Sequence, residues 1–171
     1  KSARLMAHMS EPYLEIHPDD AGRLGLEDAA LAAVTSPYGR IVARVMITPR
    51  QRPGSVFVPM HWSDQYASSG RVCAVIEANV DPISGQPELK AAPVSVQPYK
   101  AAWFGYAVGS KRPDAIAADY WAVAPTKSGW RTELAGLSEP QDWDAYVRAY
   151  FAIANGSCDE VLAYHDQNSG Q

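Results

Sequence analysis

The chain has 171 residues, of which 47% are hydrophobic and 20% charged, enough for one ordinary globular domain with a buried core, or one with a small appendage. Its formal net charge of -4 argues against a nucleic-acid surface, whose affinity rests on basic side chains that neutralise phosphates. No apolar run approaches the roughly 18 residues of a membrane span. The two cysteines, Cys73 and Cys158, stand far apart, with no Cys-x-x-Cys or His/Cys cluster of the kind that holds zinc or iron–sulfur.

In chain order, residues 1–10 show no clear period. Arg4 and His8 stand out there, and a histidine in a loose terminus is most simply a surface residue. Tyr13–Ile16 reads as a short strand. Pro18 then opens a short helix with Asp19 and Asp20 in its first turn and Gly25 just past its end. The adjacent aspartates resemble an acid–base pair on paper, but their position fits partners of the helix dipole. Leu31–Ser36 is a strand, and Ser36–Gly39 a turn with Pro37 in second place. From Arg40 to Thr48 the pattern alternates. It places Ile41, Ala43, Val45 and Ile47 on a core face, and leaves Arg40 and Arg44 for a solvated face or an interdomain contact. Pro49–Gly54 is a turn whose Arg50 and Arg52 could meet phosphate, though arginines at a loop tip are commonly just solvated.

The chain is organised around residues 54–90. A strand over Ser55–Pro59, rich in β-branched and aromatic residues, delivers Met60, His61 and Trp62 to a long loop. Structureless loops of this length are uncommon in compact domains and are usually functional. His61 beside Trp62 reads either as a satisfied structural histidine or as a donor next to a stacking face. The loop closes on Asp81–Lys90. Asp81 before Pro82 suits an Asx turn, Gln86 offers an amide that both donates and accepts, and Lys90 is a lone cation at the loop's end.

Ala92–Pro98 and the apolar Ala101–Gly109 supply further strands. Residues 120–124 and 129–136 form a hairpin across Pro125–Ser128. Asp142–Ala154 is the one convincing amphipathic helix, with Trp143, Tyr146, Val147, Tyr150 and Phe151 on one face as core. Val161–Asp166 is a final strand. The four histidines, His8, His17, His61 and His165, have no metal-ligand spacing. The chain carries no P-loop, GxGxxG or Ser/His/Asp arrangement, so no complete active site is visible.

Five segments, EPYLEIHPDDAGRLGL, VFVPMHW, DPISGQPELK, DYWA and GWRTELAG, together give a specific match. The chain resembles the C-terminal domain of the large molybdopterin-dependent oxidoreductases, the assimilatory-type nitrate reductases in particular. The resemblance implies a mainly β fold with some helix. A double-psi β-barrel would span residues 1–98, with a small α+β annex over 99–171 packed on it in the same structural unit. It implies a share in binding bis(molybdopterin guanine dinucleotide) with molybdenum, for two-electron reduction of nitrate to nitrite. His61, Trp62, Cys73, Asp81, Gln86 and Lys90 are the cofactor-binding candidates, and no catalytic residue or metal ligand comes from this chain. An iron–sulfur cluster is expected only in an N-terminal part. The expected partners are the other domains of the same polypeptide, with no nucleic acid or membrane, in the cytoplasm. Two departures stand out. Cys73 occupies the place, seventeen residues before Lys90, where relatives carry a pterin-bonding Asn, and a thiol is a poorer partner than an amide. Ala29 and Ala30 replace an Asp-Gly-Asp-like turn, so that turn is expected to need less positive φ. A formate dehydrogenase of the same superfamily is the alternative within enzymes. A stand-alone β-barrel binding module without redox activity is the alternative outside them.

Overall fold

The computed structural model describes residues 9–90, 92–114, 116–153 and 158–164. Arg4, His8, Ala154, His165 and Asp166 lie outside the described residues, as does the side chain of Phe151. The chain divides into two compact units. One is Pro12–Gln65 with Ser69–Tyr99, and the other Lys1–Glu11, Tyr66–Ser68 and Lys100–Gln171. The fold is mainly β with few helices, as expected.

The first unit holds β1 (Tyr13–Ile16), α1 (Pro18–Leu24), β2 (Leu31–Thr35), β3 (Arg40–Ile47), β4 (Val56–Phe57) and β5 (Ser95–Pro98), with a 3₁₀ turn at Val72–Val75. Its five-stranded sheet runs β4-β1-β3-β2-β5, a curled half-barrel with β4 and β5 at its edges. β1 pairs parallel with β3, and the other three ladders are antiparallel. Parallel neighbours need a crossover, and α1 with β2 provides it. Alternation decides which side chains go inside. Leu14 and Ile16 from β1 join Ile41, Ala43 and Val45 from β3, Val34 from β2 and Val96 from β5 in one apolar core. Val42, on the opposite face of β3, is buried as well. The strand expected over 55–59 is reduced to Val56–Phe57, because Pro59 has no N–H to give a ladder and is tolerated only at such an edge.

α1 starts where the sequence signals place it, and the structure adds His17 as its N-cap. The His17 Nδ1 accepts from the Asp19 N–H at 3.2 Å. Gly25 ends the helix in the left-handed conformation, at φ 64. The two aspartates are not equivalent. Asp19 is exposed, whereas Asp20 is buried at 5% exposure, takes a hydrogen bond from the Gly54 N–H at 2.6 Å and pairs with Arg23.

One expectation is corrected here. The Ala29–Ala30 turn does not avoid positive φ, because Ala29 itself stands at φ 63. β3 over-determines that backbone. The Ala29 N–H donates to the Val45 carbonyl at 2.9 Å, Arg44 donates to the Ala29 carbonyl at 3.0 Å, and Asp28 accepts from the Ile47 N–H at 2.8 Å. A left-handed alanine costs about 1–2 kcal/mol and persists only under such constraint.

The second unit holds β6 (Trp103–Gly109), β7 (Tyr120–Pro125), β8 (Trp130–Gly136), α2 (Trp143–Ile153) and β9 (Cys158–Tyr164). Its sheet runs β7-β8-β6-β9, antiparallel throughout. The hairpin β7–β8 is where the sequence puts it. Ala67 adds a bridge to Ala122 on β7, flanked by hydrogen bonds from Ser68 to Trp121 and from Val123 to Tyr66. Asp142 caps α2, its carboxylate accepting from the Ala145 N–H at 3.0 Å. The aromatic stripe of α2 is core, as its spacing requires. Trp143 and Tyr146 meet Trp103 edge-to-face, with ring centroids 5.3 and 5.4 Å apart, and Tyr150 is buried in the same cluster.

Candidate functional site

The first unit contains a cleft of about 510 Å³. Its floor is aliphatic: Val34 and Ile41 from the sheet, and Val72, Val75 and Ile76 from and beside the 3₁₀ turn. One wall is the continuous segment from Val56 to His61, which leaves the sheet at β4. The opposite wall comes from Leu89, Lys90, Ala92 and Val94. Of all the lining side chains only His61 and Lys90 are ionisable. Both are exposed, and neither has an ion-pair or hydrogen-bond partner among the described residues. An apolar slot with a few polar groups at its rim is the usual form of a small-molecule site.

The loop that carries Lys90 is built rather than slack. Val80 bridges Pro87, and the Glu88 N–H donates to the Asn79 carbonyl at 3.0 Å, so residues 79–88 form a small hairpin. Asp81 organises its tip. The Asp81 Oδ1 accepts from the N–H groups of Ile83 and Ser84, at 3.1 and 2.7 Å, and from the Ser84 hydroxyl at 2.9 Å. Those bonds, the Ser84 N–H foremost, hold the Asp81 carboxyl below the usual carboxylate range. The Gly85 N–H donates to the Asp81 carbonyl at 2.8 Å, and Gly85 takes φ 69 to let the chain return.

The six sequence candidates therefore separate. His61 and Lys90 share the cleft. Asp81 spends its carboxylate on the hairpin, as its Asx-turn reading requires. Gln86 is exposed on that hairpin and its main chain pairs with Asp81, while its amide has no partner among the described residues. Trp62 is buried at 5% exposure, next to His61 in sequence but not on the cleft surface. Cys73 sits exposed in the 3₁₀ turn, between Val72 and Val75, which do line the cleft. Sequence reasoning missed the aliphatic floor. Its signal was the run Val72–Ile76, which is too irregular for either helix or strand periodicity.

The half-barrel with its apolar cleft is that of a cofactor-binding domain, for residues 1–93 match the family described as the Molydopterin dinucleotide binding domain. The chain belongs to that family. Over 141 residues, 82% of this chain and 16% of the relative, it is 43% identical to a nitrate reductase of Klebsiella oxytoca. It is 36% identical to the assimilatory nitrate reductase catalytic subunit of Bacillus subtilis (strain 168), over 57% of this chain and 13% of that one. It is 35% identical to formate dehydrogenase H of Escherichia coli (strain K12), over 56% of this chain and 13% of that one. The chain thus spans 13% to 16% of the length of these relatives. No helix among the described residues is long and apolar enough to cross a membrane.

Proposed function

We propose that this chain is the cofactor-closing domain of a molybdenum-dependent nitrate reductase of the assimilatory type, and that its cleft takes part of a bis(molybdopterin guanine dinucleotide) cofactor. The observation that carries the reading is the pairing of Lys90 with an aliphatic cleft in a domain of this family. The residues present fit the group in kind. A dinucleotide brings a pyrophosphate, for which Lys90 is a compact cation without a partner among the described residues, and a flat ring system that an apolar wall can cover. Gln86 on the neighbouring hairpin can donate and accept at a ring edge, and the His61 imidazole can donate at the cleft rim. When bound, the molybdenum centre supplies the two-electron redox chemistry. This chain's residues bind, orient and exclude water.

Nitrate is favoured over formate as the substrate because the nitrate reductase likeness extends over more of the chain, 82% against 56%. The iron–sulfur cluster and the metal's protein ligand belong to the remainder of such an enzyme, with which this domain associates in the cytoplasm. The test is made in the full-length protein. Losing a charge-assisted hydrogen bond costs roughly 1.5–3 kcal/mol, about tenfold to a hundredfold in local affinity. Lys90→Ala is expected to lower molybdenum content and nitrate turnover while the domain stays folded. Lys127→Ala, in the β7–β8 turn, is expected to change neither. Wild-type occupancy and rate in the Lys90 variant would overturn the assignment of this cleft.

A further inference from the structure

Asp19 and Asp20 are neighbours in the first turn of α1, and both could serve the helix end. Only Asp19 is placed in solvent to do so. Asp20 is turned inward, and a carboxylate is kept at such burial only when its oxygens are bonded. Its Oδ1 pairs with Arg23 inside the helix. Its Oδ2 reaches across 34 residues of sequence to the Gly54 N–H, at 2.6 Å.

Gly54 stands two residues ahead of the cleft wall. Downstream of it, β4 is two residues long and meets β1 at Phe57↔Glu15 and Val56↔Ile16 only. Val58, Pro59, Met60 and His61 then line the cleft beyond the ladder. Upstream, the Thr48 N–H holds the start of the loop to β1, donating to the Ile16 carbonyl at 2.9 Å, and the loop's other hydrogen bonds among the described residues are local. Arg50 and Gln51 donate back to Thr48, and Ser55 donates to the Arg52 carbonyl. Val56 and Val58 pack on the core, but among the described residues the wall has few hydrogen bonds to set where it starts: a two-residue ladder on one side and the loop on the other. The bond from Asp20 ties it to α1, whose Ala21 is in the core. Gly54 stands at φ 75, so the same point that donates the N–H is also one where only glycine is free of strain.

We propose that Asp20 is a positioning residue for the cleft: through Gly54 it fixes where the wall from Val56 to His61 starts, and thereby how tightly the domain retains its cofactor. The inference rests on the cleft being the cofactor site, as proposed above. Asp20 touches no part of that site and acts through the backbone it holds.

The experiment uses the full-length protein and reads two quantities in each variant: amide hydrogen exchange over residues 54–61 and molybdenum retained after prolonged dialysis. In Asp20→Ala, exchange over 54–61 is expected to rise about tenfold, the effect of losing one charge-assisted bond. Amides of β1 and β3 keep their protection, and molybdenum retention falls severalfold. Asp20→Asn is expected to restore most of both, because its side-chain carbonyl still accepts from Gly54. Gly54→Ala has space for its methyl group but strains the backbone, so it loosens the same tie from the loop side and leaves α1 intact. It must show the same paired loss. Faster exchange in Asp20→Ala or Gly54→Ala with wild-type retention, while Lys90→Ala loses molybdenum, would make the tie merely structural and overturn the inference with the cleft assignment intact. Wild-type retention in the Asp20 and Lys90 variants alike would overturn both. Should Asp20→Ala loosen β1 and β3 as well, Gly54→Ala decides, and unchanged exchange or retention there overturns the inference.

Discussion

The two units of this chain solve the same problem differently. In the second, antiparallel ladders satisfy the backbone almost strand by strand, and the core is a cluster of large rings around Trp103. In the first, the core is aliphatic, and residues 58–65 and 69–90 form no strand. Where its five-stranded sheet leaves off, side chains satisfy part of the backbone: Asp20 at Gly54, Asp28 at Ile47, Asp81 at Ile83 and Ser84. Ladders repeat and leave little room for a concave surface, whereas side-chain ties let the chain bend around one. The cleft is in the unit whose sheet gives way to such ties, and the family match, residues 1–93, ends close to where that unit does.

The sharpest way to break this contrast is at Trp103, 3% exposed, with its indole N–H donating to the Ser138 carbonyl at 3.0 Å. Trp103→Ala is expected to cost about 3–5 kcal/mol in urea unfolding. A loss below about 1 kcal/mol would mean that the ring cluster does not hold its unit together. Next comes the strained tie in the first unit. Ala29→Gly relieves a left-handed alanine and is expected to stabilise by about 1 kcal/mol, seen as a higher urea midpoint at unchanged slope. No gain would show that the turn is not strained.

A similar magnitude is expected at Tyr146, whose hydroxyl donates to the Ala117 carbonyl at 2.6 Å. Burial first, then Tyr150 and Asp119, push its pKa up to about 12. A phenol raised above its ordinary value near 10 is protonated in the folded state after the unfolded chain has lost its proton. Its contribution is therefore complete below about pH 10 and is lost as pH rises through about 12. Tyr146→Phe should lose about 1 kcal/mol at neutral pH and flatten that alkaline decline. An unchanged decline would assign it to other groups. Least of all is expected at Met60, an exposed cleft-wall residue, where Met60→Ala should stay within about 0.5 kcal/mol.

Much of this was legible in the chain. The strands of both units, the hairpin, the α2 stripe and the Asx turn at Asp81 follow from periodicity and turn chemistry, which are local. What was not legible came from contacts remote in sequence. The burial of Asp20 depends on Gly54, and the positive φ of Ala29 is imposed by Val45 and Arg44, neither of which a local reading can see. At the cleft, Lys90 and His61 stand out by residue type. The floor beneath them comes from residues 34, 41, 72, 75 and 76, which only the fold brings together.

The strand order has a consequence for how the protein is made. β2 pairs on one side with β3, which follows it at once, but on the other with β5, where Thr35 meets Ser95 and Ala32 meets Pro98. During synthesis the apolar strand Leu31–Thr35 therefore waits for some sixty further residues before its second edge is covered. Closing so long a loop is slow, and a bare apolar edge is a template for pairing with another chain. The first unit should accordingly be exposed to misassembly while the ribosome is still at work on it, as β6 is until β9 is made, and the arrival of Ser95–Pro98 is the step that ends the hazard for β2.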